Sequence, residues 1–330
     1  MDDGTFEGNF TRGDSLRIVV TGCTGFIGSH IVPALTEAGH DVKGTVEPGI
    51  ESGSSDVPLH TCDICTGNGL AAAFAGTEAV IHLAARNHVL RETAKDPLFE
   101  YRRVNVEGTR NVVWAARKQG VGLFVHVSSI KAMGEGTGDI LDETAPCLPS
   151  TPYGISKLES EEVVRAEADG TGMAVLIFRL PMVYGPGNKG NLPRMIRWAD
   201  HGLPFPLVQP DNLRSMVYVG NVAAAVLAVL GSLCSRKMTQ ATYLVKDEAD
   251  YSTRMIYSSI CHALGKVPRF LPLPPPLGRV AGAISEDFRK VTSSFRVSSA
   301  KIREEIGFVP PFSGEEGIAR TVRWYRRSVQ

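Results

Sequence analysis

The chain has 330 residues, of which 43% are hydrophobic and 21% charged, a composition typical of a folded globular protein rather than a disordered one. Its 35 basic residues balance 35 acidic ones, and no basic run is long enough to indicate a nucleic-acid surface. The N-terminus lacks the basic start and apolar core of a signal peptide, and no apolar run reaches the roughly 20 residues of a membrane span. We therefore expect a cytoplasmic protein with no membrane span and no nucleic-acid partner.

Six cysteines are spread along the chain, a pattern unlike the disulfide framework of a small secreted domain. Cys62 and Cys65 form a CxxC pair, but no second pair of cysteines or histidines follows at the spacing of a zinc site. We expect no metal.

The first predicted element is a buried strand, Arg17–Thr21, which leads through a glycine-rich turn into a helix, Ile27–Ala38. The turn suits a dinucleotide cradle, in which Gly22 takes the tight bend, Gly25 admits a pyrophosphate and Gly28 lets the helix pack on the strand. The glycines are spaced three and three, whereas the commonest fingerprint has two and three. An ordinary strand-to-helix turn is therefore the alternative.

Strands and helices then alternate as far as residue 180. Further strands are predicted at Val42–Val46, Leu59–Ile64, Ala79–Ala85, Leu123–Ser129 and Ala174–Leu180. Helices are predicted between them at Gly69–Ala75, Pro97–Gly120 and Tyr153–Ala168. This alternation predicts an α/β protein with a doubly wound parallel Rossmann sheet.

Two acidic residues follow early strands, where carboxylates can meet an adenosine. Glu47 can accept hydrogen bonds from the adenosine ribose and Asp63 can meet the adenine amine, although each can also be a solvated loop acid. Lys43 is the only Lys or Arg between Asp41 and His60, and inside a strand it is a poor clamp for a 2′-phosphate. NAD is therefore expected rather than NADP.

The predicted chemistry lies further along the chain. Tyr153 and Lys157 are four residues apart and share a helix face, where the ammonium can lower the phenol pKa and hold the nicotinamide ribose. Ser129 closes its strand at the edge where ligands bind in open α/β sheets, so its hydroxyl can share a substrate oxygen with Tyr153. The combination indicates proton transfer coupled to a dinucleotide.

These motifs together resemble the extended short-chain dehydrogenase/reductase family, in its NAD-dependent epimerase/dehydratase branch. The segments that carry the resemblance are TGCTGFIGSH, AVIHLAA, VNVEGT, HVSSIKAMGE, YGISK and RLPMVYGPG. The resemblance implies that Ser129, Tyr153 and Lys157 are catalytic and that Asn105 supports the active-site helix. It also implies cofactor contacts at Phe26, Ile27, Asp63, Ile64, Ala84, Ala85 and Ser128.

The resemblance extends to the C-terminus and organises the chain into domains. A polar tail (1–15) precedes an NAD-binding Rossmann domain (16–180), and a smaller C-terminal substrate-binding lobe (181–330) sends residues 221–245 back to the first domain. In this lobe Asn191 and Arg214 match family residues that contact a nucleotide sugar and its diphosphate. An arginine fork suits a diphosphate, although the residue alone would indicate a surface charge. The expected partner is therefore a UDP-sugar or a related nucleotide sugar.

Several further segments of the lobe are predicted. They are a helix at Asn221–Leu230, a strand at Tyr243–Val245, a proline-rich connector at Pro268–Pro276, and terminal helices at Ile302–Gly307 and Gly317–Arg326. The long helices Pro97–Gly120 and Tyr153–Ala168 resemble those that build the dimer seam of the family, which implies a homodimer; the alternative is burial against their own sheet alone.

Departures from the family narrow the activity. Ile130 and Lys131 stand where the 4,6-dehydratases carry an Asp–Glu pair, which disfavours dehydration, and Val46 stands where many NAD-binding relatives have Asp. The resemblance then implies an NAD-dependent UDP-hexose 4-epimerase acting through a transient 4-keto sugar. The alternatives are a nucleotide-sugar 4-ketoreductase or dehydrogenase of surface-polysaccharide biosynthesis, a relative acting on a non-nucleotide alcohol or ketone, and a catalytically silent dinucleotide-binding regulator.

Overall fold

The computed structural model of the protein describes residues 15–50, 56–87, 94–136, 138–207, 212–233, 240–272 and 294–329. Most of the predicted polar tail, and the end of the predicted connector from residue 273 onward, lie outside the described residues. Within these ranges, no helix combines the length and the apolar character needed to cross a membrane.

Short strands and helices make up the described chain. The strands are β1 (Arg17–Thr21), β2 (Asp41–Val46), β3 (Leu59–Thr61), β4 (Ala79–His82), β5 (Leu123–Ser129), β6 (Ile140–Leu141), β7 (Ala174–Leu180), β8 (Met182–Tyr184), β9 (Phe205–Leu207), β10 (Arg214–Tyr218), β11 (Gln240–Leu244), β12 (Asp250–Tyr251), β13 (Phe270–Pro272) and β14 (Arg296–Val297). The α-helices are α1 (Gly28–Glu37), α2 (Leu70–Ala73), α3 (Pro97–Arg102), α4 (Gly108–Lys118), α5 (Pro152–Ala168), α6 (Asn191–Asp200), α7 (Val219–Leu233), α8 (Thr253–Leu264), α9 (Ala300–Ile306) and α10 (Gly314–Val329).

Seven parallel strands form the central sheet in the order β3-β2-β1-β4-β5-β7-β11. Successive residues of a strand point to opposite faces, so Ile18 and Val20 of β1 join the apolar cluster with α1 and α7, while Val19 joins the cluster with α4 and α5. Both faces are covered by helices, which explains why these strands are apolar almost throughout. The predicted doubly wound α/β fold is confirmed, with its order reversing beside β1.

Element boundaries differ from the prediction where local geometry changes. The predicted helix Pro97–Gly120 is interrupted at Arg103–Glu107 by one wide π-helical turn, which turns Asn105 into the interior. The strands β3 and β4 end earlier than predicted, because the chain leaves the sheet at residues 61 and 82 to form loops. The ends predicted for β1, β5 and β7 are confirmed.

The C-terminal lobe is built around a smaller sheet in the order β12-β10-β8. β10 runs parallel to β8 and antiparallel to β12, and α6, α8 and α10 supply most of the apolar side chains packed against the sheet. Segments from this part of the sequence also join the central sheet, because α7 packs with α1 and β11 pairs with β7. The strands β8 and β10 and the helices α6 and α8 were not predicted from the sequence.

One buried carboxylate joins several segments of the lobe. Asp247, in the loop after β11, accepts hydrogen bonds from the Tyr184 hydroxyl at 2.8 Å, the Tyr218 amide at 2.8 Å and the Asn221 side-chain amide at 2.7 Å. Asn221 also exchanges hydrogen bonds with both backbone groups of Phe312, ahead of α10. Burial raises the pKa of Asp247, and these hydrogen bonds oppose that shift.

Candidate active site

The carboxyl ends of three neighbouring strands form one edge of the central sheet. β4 pairs with β1 on one side and with β5 on the other, and all three run in the same direction. Gly22 and Leu83, which follow β1 and β4, and Ser129, which ends β5, therefore lie along a common edge. Ligands of open α/β sheets bind at this edge.

The glycine turn leaves no room for side chains at two of its positions. Gly22 has φ +68°, and a Cβ there would lie 2.8 Å from the backbone nitrogen of Ala84. A Cβ on Gly28 would overlap the carbonyl oxygen of Gly22. Gly25 is exposed, and its amide donates to Gly22 O at 3.0 Å to close the turn. The bare backbone at the start of α1 fits a dinucleotide pyrophosphate.

A buried histidine fixes the loop that packs on this turn. Thr21 Oγ1 accepts from the amides of Leu83 and Ala84, at 3.2 and 3.3 Å, so its hydrogen is available for His82 Nδ1 at 2.7 Å. His82 Nε2 then donates to Thr109 Oγ1 at 2.9 Å. Burial lowers the pKa of His82 to about 3, in agreement with this neutral tautomer. The hydrogen bonds of Thr21 and His82 thereby hold Ala84 against Gly22.

The acids predicted to meet adenosine have different surroundings. Glu47 directly follows β2 and is exposed. Asp63 caps its own loop, because its carboxylate accepts from the Cys65 amide at 2.8 Å and from the Thr66 hydroxyl at 2.9 Å. Glu47 is thus open to solvent, whereas the carboxylate of Asp63 already has two local donors.

The other predicted cofactor contacts divide by burial. Those at or near the surface of the site are Phe26, Ile27, Ala84 and Ala85, whereas Ile64 and Ser128 are buried. Ser128 points away from Ser129, because neighbouring residues of a strand face opposite sides, and its hydroxyl donates to Glu161. Any contact between Ser128 and a cofactor is therefore limited to its backbone.

The structure brings the three predicted catalytic side chains together. Ser129 ends β5, and its hydroxyl is hydrogen-bonded to Tyr153 and accepts from the Lys131 amide at 3.2 Å. Tyr153 lies near the start of α5, with its ring 5.8 Å from that of Tyr101. Lys157, one turn further, donates from Nζ to the carbonyl of Val127 at 2.8 Å.

Burial dominates the ionisation of this group. It raises the pKa of Tyr153 to about 12, against the effect of the Ser129 hydrogen bond, which lowers it. The pKa of Tyr153 is therefore raised, whereas the sequence analysis predicted that the Lys157 ammonium would lower it. Burial also lowers the pKa of Lys157 to about 8, while the Glu161 carboxylate raises it. At neutral pH the phenol is protonated and most of the lysine is charged.

Asn105 links the site helix to the loop after β4. Its side-chain oxygen accepts from the Arg86 amide at 2.7 Å, and its amide donates to Arg86 O at 3.1 Å and to Ser156 Oγ at 3.0 Å. Ser156 lies between Tyr153 and Lys157 on α5. These hydrogen bonds connect α5 to the loop after β4, and a supporting role for Asn105 stays a prediction.

The two predicted substrate residues lie in the C-terminal lobe. Asn191 is the first residue of α6 and Arg214 the first of β10. Phe295 bonds through its backbone to the residues on either side of Arg214 and packs with Ile130, which follows Ser129. Burial lowers the pKa of Arg214 to about 10, which leaves its guanidinium charged at neutral pH. Phe295 therefore connects the start of β10 to the segment that follows Ser129.

Sequence reasoning missed the buried polar residues behind the site. Glu161 accepts from Ser128 Oγ at 2.6 Å and from Arg179 Nη2 at 2.7 Å, and His126 stacks on His82 with ring centroids 5.4 Å apart. The spacing of four residues from Lys157 to Glu161 was a readable signal of a shared helix face. The pairings across strands had no such signal.

Comparisons with known proteins agree with this geometry. The family model for the NAD dependent epimerase/dehydratase family matches residues 18–243. The UDP-glucose 4-epimerase of Vibrio cholerae is 31% identical over 313 residues, covering 93% of this chain and 94% of that protein. The dTDP-glucose 4,6-dehydratase of Neisseria meningitidis is 29% identical, covering 94% and 93%. The structure of Thermus thermophilus UDP-glucose 4-epimerase in complex with NAD has a TM-score of 0.75 and 28% identity, covering 94% of this chain and 99% of that one.

Proposed function

The chain belongs to the NAD-dependent epimerase/dehydratase family, and we propose that within it the protein is a nucleotide-sugar epimerase, specifically a UDP-hexose 4-epimerase. The observation that carries this proposal is the hydrogen-bonded pair Ser129–Tyr153 beside the buried Lys157, at the sheet edge that also holds the glycine turn. The similarity to 4-epimerases of UDP-glucose over almost the whole chain supports the substrate class.

NAD is the cofactor of this family, and the bare glycine turn fits its pyrophosphate. In the proposed complex, Glu47 accepts hydrogen bonds from the adenosine ribose, Asp63 lies toward the adenine, and Lys157 holds the nicotinamide ribose. The bound cofactor supplies a reversible hydride acceptor. We assign residues 16–180 together with 221–245 to the NAD-binding domain and the remainder of 181–330 to the substrate-binding lobe.

Proton transfer is the part of the reaction that this chain's own residues perform. Tyr153 takes the proton of the sugar 4-hydroxyl and later returns it to the keto oxygen, with Ser129 sharing that oxygen. In the protonated form that burial favours, Tyr153 is ready to act as an acid. To act as a base it must ionise, and Lys157 on the same helix face is the cation that stabilises the phenolate.

The substrate lobe supplies binding rather than chemistry. Arg214 is a charged, half-buried donor suited to a diphosphate, and Asn191 at the start of α6 offers an amide to the sugar or its phosphates. Ile130 and Lys131 replace the acidic pair that water elimination needs, so the keto sugar is reduced again rather than dehydrated. These residues favour epimerisation over dehydration.

A direct test identifies the cofactor and the substrate together. The nucleotide released by acid from the purified protein is identified, and the protein is incubated with a panel of UDP-sugars with and without added cofactor. Epimer formation without added cofactor supports the proposal. Conversion that consumes reduced cofactor in equal amounts would make the protein a 4-ketoreductase instead.

Arg214→Leu tests the nucleotide-sugar assignment. It should weaken UDP binding by about 1.5 to 3 kcal/mol, the value of a hydrogen bond to a charged group, while NAD affinity barely changes. Calorimetry with UDP measures the effect, and Arg254→Leu, which removes an exposed arginine stacked on Phe270, is the matched control. Absence of UDP binding to the wild-type protein would favour a non-nucleotide alcohol or ketone.

We also propose that the enzyme is a homodimer that works in the cytoplasm. Two large apolar side chains on the helices that precede the site are exposed, Phe99 by 60% and Trp114 by 52%. Burial of both in a helical seam would remove this apolar surface from water. Light scattering after size-exclusion chromatography should show a dimer for the wild type and a monomer for Trp114→Glu.

Free thiols on the described cysteines support a reducing compartment.

A further inference from the structure

One buried acid lies directly behind the Ser129–Tyr153–Lys157 group and has no part in the proposed chemistry. Glu161 follows Lys157 by one turn of α5, so the two side chains leave the same face of the helix. Its carboxylate is fully buried, with 0% of the residue exposed. Burying a carboxylate costs free energy unless partners replace its water, so these partners indicate what the residue does.

The partners of Glu161 come from two neighbouring strands and from Arg165, one turn further along α5, whose Nη2 donates to Oε2 at 3.4 Å. Its Oε1 accepts from Ser128 Oγ of β5 at 2.6 Å, and its Oε2 accepts from Arg179 Nη2 of β7 at 2.7 Å. One turn earlier on the same helix, Lys157 donates to the carbonyl of Val127 at 2.8 Å. Two successive turns of α5 therefore hold the two residues of β5 that come immediately before the proposed catalytic serine.

Glu161 also acts on Lys157 from one turn away on the same helix face, because its negative charge raises the pKa of the lysine ammonium. Lys157 is only 3% exposed, so solvent screens its charge weakly. The titratable groups that surround this part of the helix are Tyr153, Glu161 and Arg165 on α5, His82 on β4, His126 on β5 and Arg179 on β7. Both histidines are neutral, because burial lowers their pKa, and Arg179 is bonded to Glu161.

We propose that Glu161 is a positioning residue of this site. Its carboxylate fixes the end of β5 against α5, so that Ser129 faces Tyr153, and it supplies the negative charge that faces the Lys157 ammonium. The roles of Ser129, Tyr153 and Lys157 rest on the proposed function. The charge of Lys157 can be measured without any substrate, so that measurement does not depend on the proposed function.

The variant Glu161→Gln tests the charge, because it keeps the shape of the side chain and one accepting oxygen while it removes the negative charge. Lysine ¹³Cε signals of the ligand-free protein are followed with pH, and the Lys157 signal is identified by its loss in Lys157→Arg. The titration midpoint of Lys157 should fall by about one pH unit in Glu161→Gln, since the stabilising anion is gone. The control is Glu159→Gln, which changes a carboxylate of α5 that pairs with Arg102 of α3 at the surface. It should leave the titration midpoint of Lys157 unchanged. An unchanged midpoint in folded Glu161→Gln overturns the charge role.

The variant Glu161→Asp tests the geometry, and it also serves if Glu161→Gln does not fold. It keeps the charge but withdraws the carboxylate by one methylene from Ser128 and Arg179. The Lys157 midpoint should stay in place while kcat falls about tenfold at unchanged NAD affinity, because Ser129 is displaced from Tyr153. Wild-type kcat in this variant overturns the positioning role.

The failure of this inference is distinguishable from failure of the proposed function. A protein inactive on every nucleotide sugar would defeat the proposed function, but the lysine titration would remain readable. An active epimerase in which Glu161→Gln leaves the lysine midpoint unchanged would defeat only the charge role of Glu161.

Discussion

The central sheet and the C-terminal lobe bury their polar groups in different ways. In the sheet, buried polar side chains form several separate local groups, such as Thr21 with His82 and Thr109, or Glu161 with Ser128 and Arg179. In the lobe, the carboxylate of Asp247 gathers donors from three strands and a helix, through Tyr184, Tyr218, Tyr251 and Asn221. We conclude that loss of one group in the sheet affects the neighbouring site, whereas loss of the lobe carboxylate affects the whole lobe.

The variant Asp247→Ala should have the largest effect of those considered. Four donors, from Tyr184, Tyr218, Asn221 and Tyr251, would lose the Asp247 acceptor, and at about 1 to 3 kcal/mol for each unsatisfied group the free energy of unfolding should fall by about 4 kcal/mol. Urea unfolding followed by circular dichroism measures the loss. Asp247→Asn keeps a carbonyl acceptor and should cost about 1 kcal/mol. Equal losses for the two variants would show that Asp247 does not organise the lobe.

The buried histidines predict a pH dependence located in the sheet. Burial depresses the pKa of both, for His82 to about 3, so below pH 6.5 the unfolded chain takes up protons that the folded chain does not. As the pH is lowered, the free energy of unfolding should therefore decrease by up to about 1.4 kcal/mol per pH unit for each histidine, or by about 3 kcal/mol per pH unit for both.

Carboxylates also titrate in this range, so a comparison of variants isolates the histidine contribution. His126→Phe keeps an aromatic ring stacked on His82 and should reduce the slope between pH 6.5 and 5 by up to about 1.4 kcal/mol per pH unit. His262→Gln changes an exposed histidine of α8 and is the control. A slope unaltered by His126→Phe would contradict a neutral buried His126.

The variant Asn221→Asp should destabilise the lobe by about 2 kcal/mol at pH 8. It places a second carboxylate against Asp247 and removes the amide that donates to Asp247 and to Phe312. Because like charges and burial both raise carboxyl pKa values, this loss should shrink as pH falls and one carboxyl takes up a proton. Chemical unfolding at pH 8 and pH 5 checks both the size and the sign. Asn221→Ser, which adds no charge, should show no such recovery at low pH.

The variant Thr21→Val should have the smallest effect, and it should fall on the cofactor site. It removes the oxygen that accepts from Leu83 and Ala84, so the loop packed on Gly22 loses its anchor. NAD should bind about tenfold more weakly, equivalent to about 1.4 kcal/mol, in a fluorescence titration. Thr21→Ser retains the hydroxyl and should bind NAD as the wild type does. Wild-type affinity in Thr21→Val would separate this loop from cofactor binding.

The same contrast explains which parts of the structure were predictable from sequence. β1, β5 and β7 are mostly apolar runs of five to seven residues bounded by clear turns, so their ends were predicted to the residue. The lobe sheet is assembled from β8, β10 and β12, which have two to five residues each and lie far apart in sequence. Short strands of this kind carry too little periodicity to be distinguished from loops.

The candidate site divides along similar lines. Gly22, Ser129, Tyr153 and Lys157 belong to contiguous motifs whose spacing carries chemical meaning, so the sequence predicts them as site residues. His82 and Thr109, which hold the neighbouring loop, depend on the pairing of β4 with β1 and on the packing of α4. Such partners follow from tertiary contacts that no local pattern contains. The burial that raises the pKa of Tyr153 depends on the same tertiary contacts.

The π-helical turn at Arg103–Glu107 lets the helix carry one extra residue without changing its direction. A π turn accommodates one residue more than a regular turn, and that extra residue sets the facing of Asn105 toward Ser156. Deleting one residue there would restore a regular α-helix in which the turns on either side keep their facing, but Asn105 would lose the widened turn that places it in the interior. The extra residue therefore serves the contact of Asn105 with Ser156 rather than the direction of the helix.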